Sequence, residues 1–205
     1  MRAEHLEVLV EEASMETFLR GLLPRVLGDQ ASFTIYTHQG KSDLLRKLGN
    51  RLRGYAAWLP ENCRIVVIVD RDDEQCATLK QTMERLAADA HLGTRTTLRG
   101  QPWRVVNRIA IEELEAWYFG DWDAVCHAYP RVQRTIPQQA PYRNSDAIAG
   151  GTWEAFERVL QRAGYFKGGL RKTEAARAIG EHLDPGRCRS SSFGCLRDAL
   201  LEAVS

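Results

Sequence analysis

The chain has 205 residues, of which 44% are hydrophobic and 27% charged, and its net charge is +1. That apolar content is enough for a buried core and excludes a disordered chain. The balanced charge leaves any polyanion-binding role to local clusters rather than to an overall field. No run approaches the ~18 apolar residues of a membrane span, and Met1-Arg2-Ala3-Glu4-His5 lacks the layout of a signal peptide. Five cysteines (Cys63, Cys76, Cys126, Cys188, Cys195) form no Cys-x-x-Cys pair. Reduced structural thiols in a cytoplasmic protein are therefore expected.

Leu6 to Val10 reads as a short strand ending at Glu11-Glu12. Ser14 has the chemistry of a helix N-cap, and a helix through Phe18, Leu19, Leu22 and Leu23 should stop between Pro24 and Gly28. Ser32 to Thr37 is a second strand, and Lys41 to Trp58 a helix with Leu44, Leu45, Leu48 and Leu52 on one face. Ile65 to Val69 is an unbroken β-branched run, as expected of a strand covered on both faces in a parallel sheet. Asp73 is placed to cap a helix from Glu74 to about Ala90, and Val105 to Ile111 is a fourth strand. The alternation β-α-β-α-β-α-β predicts an α/β fold with a central parallel sheet of about four strands and flanking helices. After Trp122 the pattern changes. A proline-bearing loop over 129–145 precedes helices near 152–163, 170–182 and 192–203. The expected division is a core over residues 1–122 and a loop-and-helix extension over 123–205 packed on it.

Carboxylates stand at the ends of three of the four strands: Glu11, then Asp70 and Asp72, then Glu112, Glu113 and Glu115. Ligands of parallel α/β sheets bind at the carboxyl ends of strands, and neighbouring strand ends lie only ~5 Å apart. So many like charges repel, and a divalent cation relieves the conflict. Oxygen-only ligands favour Mg²⁺ or Mn²⁺. Extended backbone would aim Asp70 and Asp72 the same way, at one ion. Each acid also has a structural alternative, since Asp caps helices and Glu suits a first turn.

These residues resemble the Toprim domain of topoisomerases, primases and nucleases: a strand ending in Glu11 and a later strand ending in Asp70-Arg71-Asp72. More narrowly, the chain resembles a bacterial Toprim-like family, the domain of unknown function 4276. The closer likeness rests on Leu9 to Ser14, Val69 to Asp73, Ile111 to Trp117, Tyr165 to Gly169 and Ser190 to Phe193. The resemblance implies a Toprim-like, Rossmann-like core with Glu11 assisting proton transfer or binding metal, and Asp70 and Asp72 holding Mg²⁺. Glu115, then Glu113, are first in line for a second metal. Glu12 and Met15 stand where many Toprim sequences have Gly and an acid, and Glu16 comes one place later. The resemblance also implies association with a separately encoded ATPase and a part in defence against phage.

Phosphodiester cleavage also needs a positive side chain near the transferring phosphoryl group. Lys167, Arg171 and Lys172 follow a glycine-bounded turn and are candidates, with Lys167 and Lys172 assigned to catalysis. Lys41, Arg46, Lys47, Arg51 and Arg53 face a single acid, Asp43, and Arg95, Arg99, Arg104 and Arg108 face none. Lys41, Arg46, Lys47, Arg104, Arg108 and Arg171 are the expected contacts to a DNA or RNA backbone. Trp117 is expected in the core. No histidine pair has metal-ligand spacing, and neither a Walker phosphate loop nor a Gly-x-Ser-x-Gly elbow is present. The expected activity is a Mg²⁺- or Mn²⁺-dependent nuclease. A phosphatase with Asp70 as nucleophile and a non-catalytic adaptor for an ATPase remain as alternatives, and homo-oligomerisation stays open.

Overall fold

The computed structural model describes residues 2–98 and 100–205. Four strands form one parallel sheet in the order β2-β1-β3-β4: β1 (His5–Val10), β2 (Ser32–Thr37), β3 (Cys63–Asp70) and β4 (Val105–Ala110). The chain first builds outward from β1 to β2, then returns to place β3 on the other side of β1. The order therefore reverses between β1 and β3, and a crevice at the carboxyl ends of these two strands is the usual ligand position in such sheets.

The alternation of side chains sorts the two faces. Val8, Val10, Val66, Ile68, Val106 and Ala110 pack with α1 (Ala13–Leu27) and with the helices that follow β4. Leu9, Ile65, Val67, Val69, Val105 and Ile109 pack under α2 (Lys41–Trp58) and α3 (Cys76–Asp89). All eight residues of β3 are buried, as a strand sandwiched between helix layers requires.

After β4 come α4 (Glu115–Gly120), α5 (Trp122–Ala128), three single 3-10 turns between Ile136 and Ala147, α6 (Thr152–Arg162), α7 (Lys172–Gly180) and α8 (Ser191–Val204). α7 lies along α1, where Gly21 and Gly180 allow backbone-to-backbone contact: a Cβ on Gly180 would sit 2.8 Å from the Phe18 carbonyl oxygen. Trp117 is fully buried, and its indole N–H donates to Ser192 Oγ over 2.9 Å. Ser190 caps α8 by accepting from Phe193 N. These contacts tie the later helices into the same apolar cluster that covers one face of the sheet.

Two local expectations change. α3 begins at Cys76 with Gln75 at its N-cap, so Asp73 lies in the preceding turn and caps nothing. Ser14 falls inside the first turn of α1, and Glu12 holds the N-cap position. No helix among the described residues is long and apolar enough to cross a membrane.

Candidate metal centre

Backbone geometry builds the site first. Val10 pairs with Ile68 and Asp70 with Ala110, so Glu11 leaves β1 beside the last residues of β3. Gly40 N donates to the Glu11 carbonyl over 2.8 Å, which fixes the entry to α2 against the end of β1. Past the strand ends the chain turns sharply. Asp72 has φ 49° and Glu112 has φ 62°, both in the left-handed region, and Asp72 N donates to the Glu112 carbonyl over 3.0 Å. Non-glycine residues held there cost on the order of 1–3 kcal/mol, and such strain gathers at functional sites.

This turn overrides the alternation expected of Asp70 and Asp72. β3 ends at Asp70, and the side chain of Asp72 swings toward Lys41, whose Nζ lies 2.7 Å from Asp72 Oδ2 and 3.0 Å from Glu74 Oε1. Lys41 also donates to the Arg71 carbonyl. Burial alone would depress its pKa, but the bonds to Asp72 and Glu74 raise it, so the ammonium stays charged.

The acids beneath are hidden from water. Glu11, Asp70 and Glu115 are buried at 6%, 4% and 2% exposure. Burial pushes the Glu11 carboxyl up to about 7; Asp72 adds to the rise, and Lys41 and a hydrogen bond from the Asp70 backbone oppose it. Asp70 is raised well above the carboxylate range by burial, then by Glu11 and Glu115. Glu115 is pushed up to about 7 by burial, against the pull of Lys172. Lys172, half-buried at the start of α7, is itself raised: burial works downward, but Glu115, Glu12, Glu113 and Asp70 together outweigh it. Its Nζ also lies 5.3 Å from the centre of the Trp153 ring.

Two of these buried acids are incomplete. Among the described residues, Glu11 Oε2 and Asp70 Oδ1 have no hydrogen-bond partner, although buried polar atoms are rarely left so. Orphaned carboxylate oxygens at the end of neighbouring strands fit a hard divalent cation. Among the described residues, however, no three Asp, Glu, His or Cys side chains are already gathered as a finished cage. The set is a group of donors with open valences, not a closed structural metal site.

The chain matches the domain of unknown function DUF4276 over residues 10–201, nearly its full length. It belongs to that family. Neither a curated protein nor a solved structure matches it. In this DUF4276 domain, the matched region takes in every acid of the rim.

The other expected residues are dispersed. Glu113 accepts from Trp153 N over 2.9 Å and from Thr152 Oγ1 over 3.0 Å, so it caps the N-terminus of α6 at the border of the site. Glu112 pairs with Arg71. Glu16 is taken by Arg20 and Thr37. Lys167 is exposed on the turn between α6 and α7 and makes no hydrogen bond or ion pair among the described residues. Arg171 pairs with Glu174 and lies over the Phe166 ring. Arg46 and Lys47 both pair with Asp43 on the outer face of α2, where their side chains remain 71% and 51% exposed.

The arginines of the fourth strand do not flank the acids as a single surface. Arg104 precedes β4 and donates to the Leu59 carbonyl, at the opposite end of the sheet from the rim, roughly 20 Å away along a six-residue strand. Arg108 is half-buried in mid-strand; burial, then Arg95, lower its pKa. Arg95 pairs with Glu202, and Arg99 lies outside the described residues. Sequence reasoning missed Glu12 and Tyr118 as neighbours of the acids. Glu12 adjoins Glu11, and its position carried that signal. Tyr118 stands one turn beyond Glu115, inside an aromatic run that reads only as core.

Proposed function

We propose that this DUF4276 domain is a Mg²⁺- or Mn²⁺-dependent phosphodiesterase acting on DNA or RNA, with a Toprim-like use of its strand ends. One observation carries the reading: two buried carboxylate oxygens, on Glu11 and Asp70, stand without partners at the point where the strand order reverses. Asp70 and Glu115 are the residues that would hold the cation, while Asp72 stands at the rim, engaged by Lys41. Once bound, such an ion stabilises charge on phosphoryl oxygens and makes water a stronger nucleophile.

The chain's own groups supply the rest. Glu11, with a pKa near neutrality, takes the proton of the attacking water at Oε2, as suits a general base at physiological pH. The new bond forms between water oxygen and phosphorus as the bond to the leaving sugar oxygen breaks. Lys172 stays protonated among the acids and offsets the charge that grows on the phosphoryl oxygens. Arg46 and Lys47, exposed on α2, are available to backbone phosphates at modest cost, since among the described residues they share the single partner Asp43.

The test is cleavage of single- and double-stranded DNA and RNA with Mg²⁺ or Mn²⁺. Glu11→Gln should retain Mn²⁺ binding within about tenfold yet lose roughly 10²–10⁴-fold in rate. Asp70→Asn should lose both. Wild-type protein that cuts no nucleic acid with either metal would sink the proposal.

A further inference from the structure

Tyr118 shares a feature with the acids that none of the roles above uses. Its hydroxyl is buried, the residue is 1% exposed, and Oη has no hydrogen-bond partner among the described residues. A buried tyrosine normally finds a partner for its O–H, because leaving it unpaired costs free energy. The ring cannot swing away to look for one. Phe18 holds it on one side, with ring centres 5.7 Å apart, and Phe156 on the other at 5.3 Å. Tyr118 also lies three residues after Glu115 on α4, a spacing that sets two side chains on one helical face. Burial first, then the nearby Glu115 and Asp70, push the phenol up and keep it protonated.

We propose that Tyr118 is a positioning residue for the metal centre: its hydroxyl donates, directly or through one buried water, to the Asp70 and Glu115 carboxylates and fixes which of their lone pairs face the cation. The inference rests on the metal-dependent reading above. At 1% exposure the phenol cannot reach a phosphodiester, so its effect must pass through the acids. Outer partners of metal ligands commonly change affinity by 10–100-fold when removed.

Tyr118→Phe deletes one oxygen and keeps the ring stack. Mn²⁺ titration calorimetry at pH 7.5 on wild type, Tyr118→Phe, Asp70→Asn and Tyr129→Phe gives the test, with the melting midpoint of each metal-free protein recorded alongside. Tyr129 is the control, because its hydroxyl is also buried and unpartnered among the described residues, but the charged groups that act on it are Glu174 and Arg171 rather than the rim acids. The expected result is Mn²⁺ affinity weaker by 10–100-fold in Tyr118→Phe, unchanged in Tyr129→Phe, with metal-free midpoints in both equal to or above wild type. Wild-type affinity in Tyr118→Phe, with Asp70→Asn unable to bind, would overturn this inference and leave the metal site standing. Equal losses in both tyrosine variants would overturn it as a packing effect. Absence of binding by the wild type would overturn both readings together.

Discussion

A buried carboxylate with an empty acceptor position destabilises the chain that carries it, and Asp70 is such a group. Removing its charge without changing its shape should therefore strengthen the metal-free protein. Asp70→Asn is expected to melt roughly 2–8 °C above wild type at pH 7.5 in chelator, from about 1–2 kcal/mol of relieved repulsion and desolvation. A calorimetric scan checks this, and a lower midpoint would mean that Asp70 holds the fold rather than a ligand. Lys172 gives the complementary case. It is the cation that Glu115, Glu12, Glu113 and Asp70 all act upon, so Lys172→Met should cut the cleavage rate by about 10²–10³-fold. Mn²⁺ affinity should stay within a few-fold, since a lysine supplies no lone pair while charged. A rate loss accompanied by an equal loss of metal binding would reassign Lys172 to holding the acids in place.

Among the secondary-structure elements, α6 depends on a group from elsewhere in the chain. Its N-cap residue is Gly151, which offers no side chain, and Glu113 supplies the missing acceptor to Trp153 N and Thr152 Oγ1. Glu113→Ala should cost about 0.5–2 kcal/mol, the usual worth of a capping side chain, and lower the melting midpoint by roughly 1–8 °C. Glu113→Gln keeps an acceptor oxygen and should recover most of that loss; denaturant unfolding of the two variants measures it. Full stability of Glu113→Ala would leave the residue free for the metal role that its position in the sequence suggested. The same helix shows where sequence legibility ends. The apolar runs of β1 and β3, the leucine face of α2 and the acids at the strand ends are local patterns, and each reads directly into structure. The cap of α6 comes from a residue 40 positions away, the turn at Asp72 breaks a periodicity that holds until Asp70, and Asp73 has the chemistry of a cap without the position. α5 is seven residues long, too short for its apolar spacing to announce it.

On the scale of the whole chain, the shifted acids fall into two classes with opposite pH signatures. Glu16, Asp43, Glu84 and Glu202 are lowered, each by hydrogen bonds or cations that outweigh burial where burial opposes them. A depressed carboxyl adds stability that is present above its unfolded value and lost as pH falls through its folded one. These residues account for weakening on acidification below about 4.5. Glu11 and Glu115 do the reverse. Burial raises both to about 7 from an ordinary value of 4.5, so between those values the folded chain binds more protons than the unfolded one. Stability then falls as pH rises across the same window and levels off above it. His182, lowered by burial and by His127, works in the opposite sense on a surface site and offsets part of the decline. The expected result is a metal-free melting midpoint highest near pH 5 and lower by roughly 5–10 °C at pH 7.5, corresponding to a few kcal/mol from two coupled acids. Millimolar Mn²⁺ should erase most of that decline, because a cation that binds only the folded, ionised site stabilises it by mass action. Scans in chelator and in Mn²⁺ from pH 4 to 8.5 make the comparison. A midpoint that climbs from pH 5 to 7.5 without metal would show that the buried acids are satisfied by the protein alone, and the case for a cation at the β1–β3 crevice would fail with it.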